Sequence, residues 1–198
     1  MTQVIPLRAR PTREATTARI GMIVFVAGWT MMFGALLVAY VLLRTGQPEG
    51  APWPPAGLPR VPRLLPTVAT FVLLSSSGTF TLALAAIRGA RPRAFARWLW
   101  ATLLLAVVFL GLQTTTWLGM QHLGLAHAAS LYAASFFGLT FFHALHVVVG
   151  VFGLASLLPR SHRGAFSAHH HTAVRSWALY WHFVDVAWLA FYAAVVLW

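Results

Sequence analysis

Five long apolar runs dominate the sequence and leave little material for a water-facing surface. A helix needs about 20 mostly apolar residues to cross a membrane. Runs of at least that length lie near residues 20–43, 64–87, 98–119, 128–158 and 174–198. Only 9% of the 198 residues are charged, whereas a soluble domain has about 25%. The pattern therefore predicts an all-α integral membrane protein built as a bundle of five transmembrane helices.

Arginine supplies all 14 basic residues, and the segments between the runs share it unevenly. One side of the predicted bundle receives Arg8, Arg10, Arg13, Arg19, Arg88, Arg91, Arg93, Arg97, Arg160, Arg163 and Arg175. The other side receives Arg44, Arg60 and Arg63. Because cytoplasmic loops are enriched in basic residues, the sequence predicts a cytoplasmic N-terminus and an external C-terminus. The arginines form no single basic face, so nucleic acid is not a predicted partner.

The segments outside the runs set the predicted domain organisation. Residues 1–18 are predicted to be an N-terminal cytoplasmic tail, and residues 19–198 to be one membrane domain. Seven prolines in residues 47–66 indicate a stiff external segment. Pro159 is predicted to end the fourth helix. The first run is too long for a signal peptide and lacks a cleavage site, so it is predicted to be a retained helix.

Four polar residues lie at the middle of the last two runs. His143 and His146 share one run, and His182 and Asp185 share the next with the same spacing of three. One interpretation is a metal site or a proton relay; the other is a polar clamp in which Asp185 accepts a hydrogen bond from His143 or His146. The clamp is favoured, because polar groups inside membranes commonly pair and no further ligands are evident. The absence of cysteine excludes thiolate metal sites.

Other polar residues support weaker predictions. Arg163, His170, His171 and Arg175 lie next to a predicted cytoplasmic interface and are candidates for contacts with anionic lipid headgroups. The alternatives for the histidines are a solvated loop and opportunistic metal binding. Two small polar patches, at 75–79 and 113–116, favour close helix packing over a transport path.

Several stretches resemble one known family in their sequence and their order. The last run contains Trp181-His-Phe-Val-Asp-Val-Ala-Trp188, and the fourth contains Leu139-Thr-Phe-Phe-His-Ala-Leu-His-Val147. The proline-rich segment contains Trp53-Pro54-Pro55 followed by Gly57, and the first run begins Arg19-Ile-Gly-Met-Ile-Val-Phe25. Together these stretches resemble subunit III of the haem–copper oxidases, in the bacterial form with five helices.

The resemblance implies an accessory subunit of a respiratory oxidase in the bacterial cytoplasmic membrane. Such a subunit packs against catalytic subunit I and other oxidase subunits, binds phospholipid, and supports assembly and sustained turnover. It carries no catalytic, cofactor or metal residues of its own, while haem and copper reside in partner subunits. Many members have acidic residues where Trp29 and Thr116 stand here. A proton-linked role of those carboxylates is therefore not carried over.

Three alternatives remain beside this interpretation. The chain could be the corresponding partner of a nitric oxide reductase, because the acceptor is decided in other subunits. A membrane di-iron hydroxylase would need clusters of histidines at helix ends, whereas His143 and His146 lie at the middle of their apolar run. A small transporter would need polar residues along a path through the bilayer. Stoichiometric iron would favour the hydroxylase, and ion flux through the chain alone would favour the transporter.

Overall fold

Five long helices make up most of the part of the chain that the structure describes. The computed structural model describes residues 13–125, 130–168 and 170–198. The helices are α1 (Arg13–Thr45), α2 (Leu64–Arg88), α3 (Pro92–His122), α4 (Leu131–His162) and α5 (Thr172–Tyr192). A π-helix, Ala193–Leu197, continues α5. All five are long and apolar enough to cross a membrane, and the described residues contain no strand. The predicted all-α membrane fold is confirmed.

The helix ends differ from the predicted ones by up to about two turns. Residues 13–18 of the predicted tail belong to α1, and residues 1–12 lie outside the described part. Ala128 lies outside it as well, and α4 begins at Leu131 after Ser130, whose hydroxyl accepts the Ala133 N–H at 3.1 Å. The hydroxyl satisfies one of the N–H groups that a helix start leaves free. Pro92 occupies the first turn of α3, where its missing N–H costs nothing.

Pro159 does not end α4, which continues to His162. A proline removes its own N–H from the helix, but its carbonyl still accepts hydrogen bonds. The Pro159 carbonyl accepts the N–H of Arg163 at 3.2 Å, so the final turn closes normally. The chain leaves the helix at Gly164, whose φ of +69° lies in the left-handed region that favours glycine.

Helix α5 is the centre of the bundle. It packs against α1, α2 and α4, while α2 also packs on α3 and α3 on α4. Four of its side chains, Val174, Tyr180, Trp181 and Val184, are completely buried. In contrast, only 6% of the most apolar 18-residue stretch of α1 is buried against the other helices. Most of the surface of α1 therefore faces lipid or another protein.

The arginine-rich loops lie at one end of the bundle. Phe95, at the start of α3, packs against Phe166, just after α4, with 6.0 Å between ring centroids. At the opposite end, the Arg44 guanidinium donates to the carbonyl of Trp198 and lies 4.2 Å from its ring centroid. The uneven division of arginine between the loops is therefore also a division between the two ends of the folded bundle.

Candidate functional site

His182 joins α5 to α2 through a hydrogen bond. Its Nδ1 is hydrogen-bonded to the Ser77 hydroxyl. The Ser77 hydroxyl also lies near Asp185 without forming a hydrogen bond to it. Ser77 belongs to the polar patch for which close helix packing is predicted. Its partner across the interface is a histidine of the predicted polar cluster.

His143 and His146 share α4 but face different neighbours. His146 packs against α1, with ring centroids 4.1 Å from Trp29 and 4.8 Å from Phe33, and its Nδ1–H donates to the Phe142 carbonyl at 2.6 Å. His143 is completely buried, and neither ring nitrogen has a hydrogen-bond partner in the described part of the chain. Its ring lies 5.0 Å from that of Trp188 on α5. The two histidines thus occupy separate environments.

Asp185 is buried, with 4% of its surface exposed, and faces into the bundle. Neither carboxyl oxygen has a hydrogen-bond partner among the described residues. The predicted hydrogen bond between Asp185 and His143 or His146 is therefore not formed. The reason is rotation about the helix axis: residues three apart differ by about 60° in direction. Similar depth in the membrane does not make two side chains meet.

Two tryptophans of α5 also donate hydrogen bonds to buried hydroxyl groups of α2. The Trp181 Nε1–H donates to the Ser76 hydroxyl at 3.1 Å, and the Trp188 Nε1–H donates to the Thr70 hydroxyl at 2.9 Å. All four side chains are buried. A buried indole N–H needs an acceptor, because no water replaces it. These bonds and the His182 bond perform the clamping that was predicted for Asp185.

Removing the Ser76 hydroxyl should weaken the α2–α5 interface. Ser76→Ala leaves the Trp181 N–H buried without an acceptor, and we expect a loss of about 1–2 kcal/mol in the free energy of unfolding. The matched control is Ser75→Ala on the exposed face, where the Ser75 hydroxyl bonds to the Phe71 carbonyl of its own helix at 2.7 Å. Thermal unfolding of the detergent-purified protein measures both. Equal melting temperatures for the two variants would contradict this role.

Two glycines of α4 create the space that these aromatic rings occupy. A Cβ at Gly150 would lie 2.7 Å from the Trp181 ring, and one at Gly153 would lie 2.3 Å from the Trp177 ring. Both distances are shorter than real Cβ contacts allow. The glycines therefore permit α4 and α5 to approach closely, which is their common use at helix interfaces in membranes.

The alternative prediction of a metal site requires several ligand side chains close together. Within residues 13–125, 130–168 and 170–198, no group of three or more histidine or acidic side chains is placed to hold one metal ion. His182 is paired with Ser77 and His146 with the Phe142 carbonyl. The arrangement of the described polar residues matches packing between helices.

The loop residues predicted to contact lipid lie together at the arginine-rich end. Arg163 follows α4, His170 and His171 precede α5, and Arg175 lies in the first turn of α5. Arg163, His170 and Arg175 are exposed, whereas His171 is half-buried. Burial lowers the pKa of His171, and the charges of Arg88 and Arg175 lower it further. The neighbouring His169 lies outside the described residues.

Comparison with known proteins connects the whole bundle to one family. The cytochrome c oxidase subunit III family model matches residues 11–198. Cytochrome c oxidase subunit 3 of Thermostichus vulcanus is 36% identical over 179 residues, which cover 90% of this chain and 86% of that protein. The Synechocystis sp. protein of the same name is 35% identical over 178 residues, which cover 89% of this chain and 74% of that protein. The protein of the same name from Arabidopsis thaliana is 34% identical over 185 residues, which cover 91% of this chain and 68% of that protein.

Proposed function

The chain belongs to the cytochrome c oxidase subunit III family, and on that premise we propose that it is a cofactor-free accessory subunit of a respiratory haem–copper oxidase. It packs against the catalytic subunit and supports assembly and sustained turnover, while haem and copper are held by partner subunits. The observation that carries the proposal is the family match over nearly the whole chain. The complex reduces oxygen with coupled proton pumping.

The exposed surface of α1 supports a role as a packing partner. Met31, Val24 and Leu42 expose 78%, 65% and 64% of their surfaces within the isolated bundle. An apolar side chain gains about 25 cal/mol for each Å² that is removed from water, and either lipid or a protein neighbour supplies such an environment. A second helical subunit that docks on this face would also order the helix through close packing.

The orientation and location follow from the same proposal. The arginine-rich end lies on the cytoplasmic side and the residue 46–63 segment on the external side of a bacterial cytoplasmic membrane. The support is the excess of arginine at one end of the bundle, because cytoplasmic loops are enriched in basic residues. Labelling of single cysteines introduced into this cysteine-free chain at Arg44 and Arg93 tests it. The Arg93 site should react with an impermeant reagent only after the membrane is opened.

Affinity purification through a tag on this chain tests the proposal as a whole. In mild detergent, haem absorption bands and oxygen uptake should co-purify with the chain. A complex from which the chain has been removed should keep its haem spectrum and initial rate but lose activity sooner during turnover. A colourless chain that purifies without partners would overturn the proposal. Nitric oxide consumption in place of oxygen uptake would assign the chain to a reductase instead.

The predicted lipid contacts form part of the proposal. Arg175 lies in the first turn of α5, where a basic residue opposes the helix dipole and no acidic residue compensates it. An anionic headgroup would remove this repulsion. Each arginine near an anionic surface contributes about 1 kcal/mol, so Arg175→Gln should weaken retention of anionic phospholipid about fivefold. Arg63→Gln, an exposed arginine at the other end, is the matched control.

Mass spectrometry of lipids retained by the purified protein measures this effect. We expect fewer anionic phospholipids per protein with Arg175→Gln and an unchanged number with Arg63→Gln. An equal loss in both variants would show that net charge alone controls retention. No loss in either would remove Arg175 from the proposed lipid contacts.

A further inference from the structure

A small cavity lies between α2, α3, α4 and α5, and a few polar side chains interrupt its mostly apolar wall. Its volume is about 10 Å³, and its walls include Gln113, Thr116, Thr140, Trp188 and Tyr192. This volume is near the smallest that holds one water molecule. Its walls include neither His143 nor Asp185. The polar atoms of His143 and Asp185 therefore do not line the cavity, although Trp188 borders both the cavity and the His143 ring.

Gln113 brings an unused hydrogen-bond donor to this cavity. Only 1% of its surface is exposed, and its Nε2 has no hydrogen-bond partner within residues 13–125, 130–168 and 170–198. Its neighbours in the sequence, Thr114 and Thr115, face outward, and their hydroxyls donate to carbonyls one turn earlier at 2.8 and 2.9 Å. On the outer face of the 113–116 patch, the threonine hydroxyls have hydrogen-bond partners. On its inner face, the Gln113 Nε2 has none among the residues that the structure describes. A buried amide N–H without an acceptor is strongly unfavourable in an apolar interior.

The threonines of the cavity wall supply acceptors rather than donors. The Thr116 hydroxyl donates to the Leu112 carbonyl at 2.9 Å. The Thr140 hydroxyl donates to the Phe136 carbonyl at 2.6 Å and accepts the Trp117 Nε1–H at 2.9 Å. Each hydroxyl has thus used its single hydrogen, while its oxygen retains a lone pair that accepts another bond.

The wall chemistry selects the kind of occupant. An amide N–H on one side requires an acceptor, and hydroxyl oxygens on the other side require a donor. A cation would be repelled by the amide hydrogens of Gln113, and an anion would be buried without a counter-charge. A molecule that both accepts and donates, and that has the size of the cavity, fulfils these requirements. Water has these properties.

The π-helix at the end of α5 completes the wall. Val195 and Val196 are consecutive residues, and both line the cavity. The wider turn of a π-helix changes the direction of successive side chains relative to an α-helix. Its closing bond runs from the Trp198 N–H to the Ala193 carbonyl at 3.0 Å. The cavity is therefore covered by apolar side chains on the side where α5 changes its winding.

We propose that this cavity is a binding site for one structural water molecule, which accepts from the Gln113 Nε2–H and donates to the Thr116 and Thr140 hydroxyl oxygens. The water adds a second connection between α3 and α4 beside the direct bond from the Trp117 Nε1–H to the Thr140 hydroxyl. Buried waters of this kind usually make about three hydrogen bonds and are costly to remove. The site goes beyond the accessory role and does not depend on it.

Two matched pairs of substitutions test the water site. Gln113→Met removes the amide with little change in volume, and Gln121→Met makes the same change at an exposed position of α3. Thr116→Val removes the hydroxyl inside the cavity, and Thr115→Val removes one outside it. In thermal unfolding of the purified protein, with whatever subunits co-purify, the inner variants should melt several degrees lower and the outer ones should not.

The sign of the Gln113→Met effect decides the proposal. If the amide lacks a partner, an apolar replacement raises the melting temperature, and that result would overturn the water site. Equal melting of Thr116→Val and Thr115→Val would overturn it as well. A cryo-EM map that resolves waters elsewhere in the bundle should show one peak within hydrogen-bond distance of Gln113 and Thr116. An empty cavity in that map would also overturn it, even where Gln113→Met fails to accumulate.

Discussion

Gly150→Ala should lower the free energy of unfolding by about 3 kcal/mol, the upper end of what an added methyl costs in a packed interior. The new Cβ would lie 2.7 and 2.8 Å from two carbons of the Trp181 ring, so one of the helices must move. Trp181 has no room to yield, because it is completely buried and its Nε1–H is held by Ser76 at 3.1 Å. Resistance to thermal unfolding in detergent measures the loss.

Gly138→Ala on the same helix is the matched control. A Cβ at Gly138 would meet nothing within 4 Å. Alanine is favoured over glycine within a helix by about 1 kcal/mol, so the control should be neutral or slightly stabilised. The two variants should therefore shift the melting temperature in opposite directions or by clearly different amounts. A stabilised Gly150→Ala would show that the contact between α4 and α5 is looser than its geometry indicates.

The five helices were predictable from the sequence because each apolar run is long and carries few charges. The ends were less predictable, since caps and prolines act over single turns. Pro159 illustrates this: within the last turn it removes only one hydrogen bond, and α4 continues to His162. The start of α1 at Arg13 lies in a polar stretch where hydropathy carries no signal.

The sequence predicted that the polar residues of the candidate site lie at the middle of their helices, but it did not predict their hydrogen-bond partners. The side-chain hydrogen bonds from α5 to α2 are formed by His182, Trp181, Trp188 and Tyr192, and not by Asp185. The separation of seven between the two tryptophans was a readable signal, because residues seven apart lie on one helix face. Which α2 hydroxyl each indole meets depends on the rotation of two helices about their axes, and a single sequence does not specify it.

The glycines that seat the tryptophans were missed for a related reason. Gly150 and Gly153 are separated by three residues, which places them on one face of α4. Small residues at such spacing indicate close approach of another helix, but not which helix or which ring fills the space. The family match removes the grounds for a membrane hydroxylase or a transporter. Neither hydroxylase nor transport chemistry is needed to explain the packed interior.

Asp185→Leu and His143→Phe should each stabilise the isolated protein, by about 2 kcal/mol. Leucine has the branched shape of aspartate and phenylalanine has a ring of similar size to histidine, so both changes replace buried polar atoms that lack partners. His143 already lies among aromatic rings, including Phe109 at 5.8 Å and Trp188 at 5.0 Å. The predicted clamp required the opposite result for Asp185→Leu. Thermal unfolding distinguishes the two.

His182→Phe provides the contrast, because it removes a histidine that has a partner. It leaves the Ser77 hydroxyl without its bond to the ring, so the melting temperature should fall where His143→Phe raises it. Destabilisation by all three substitutions would mean that Asp185 and His143 are paired in the protein after all. Stabilisation of the isolated chain together with poorer recovery of the oxidase would mean that the polar groups at 143 and 185 serve the assembled complex. Buried polar groups without partners lower stability, and proteins commonly retain such groups where they serve a function.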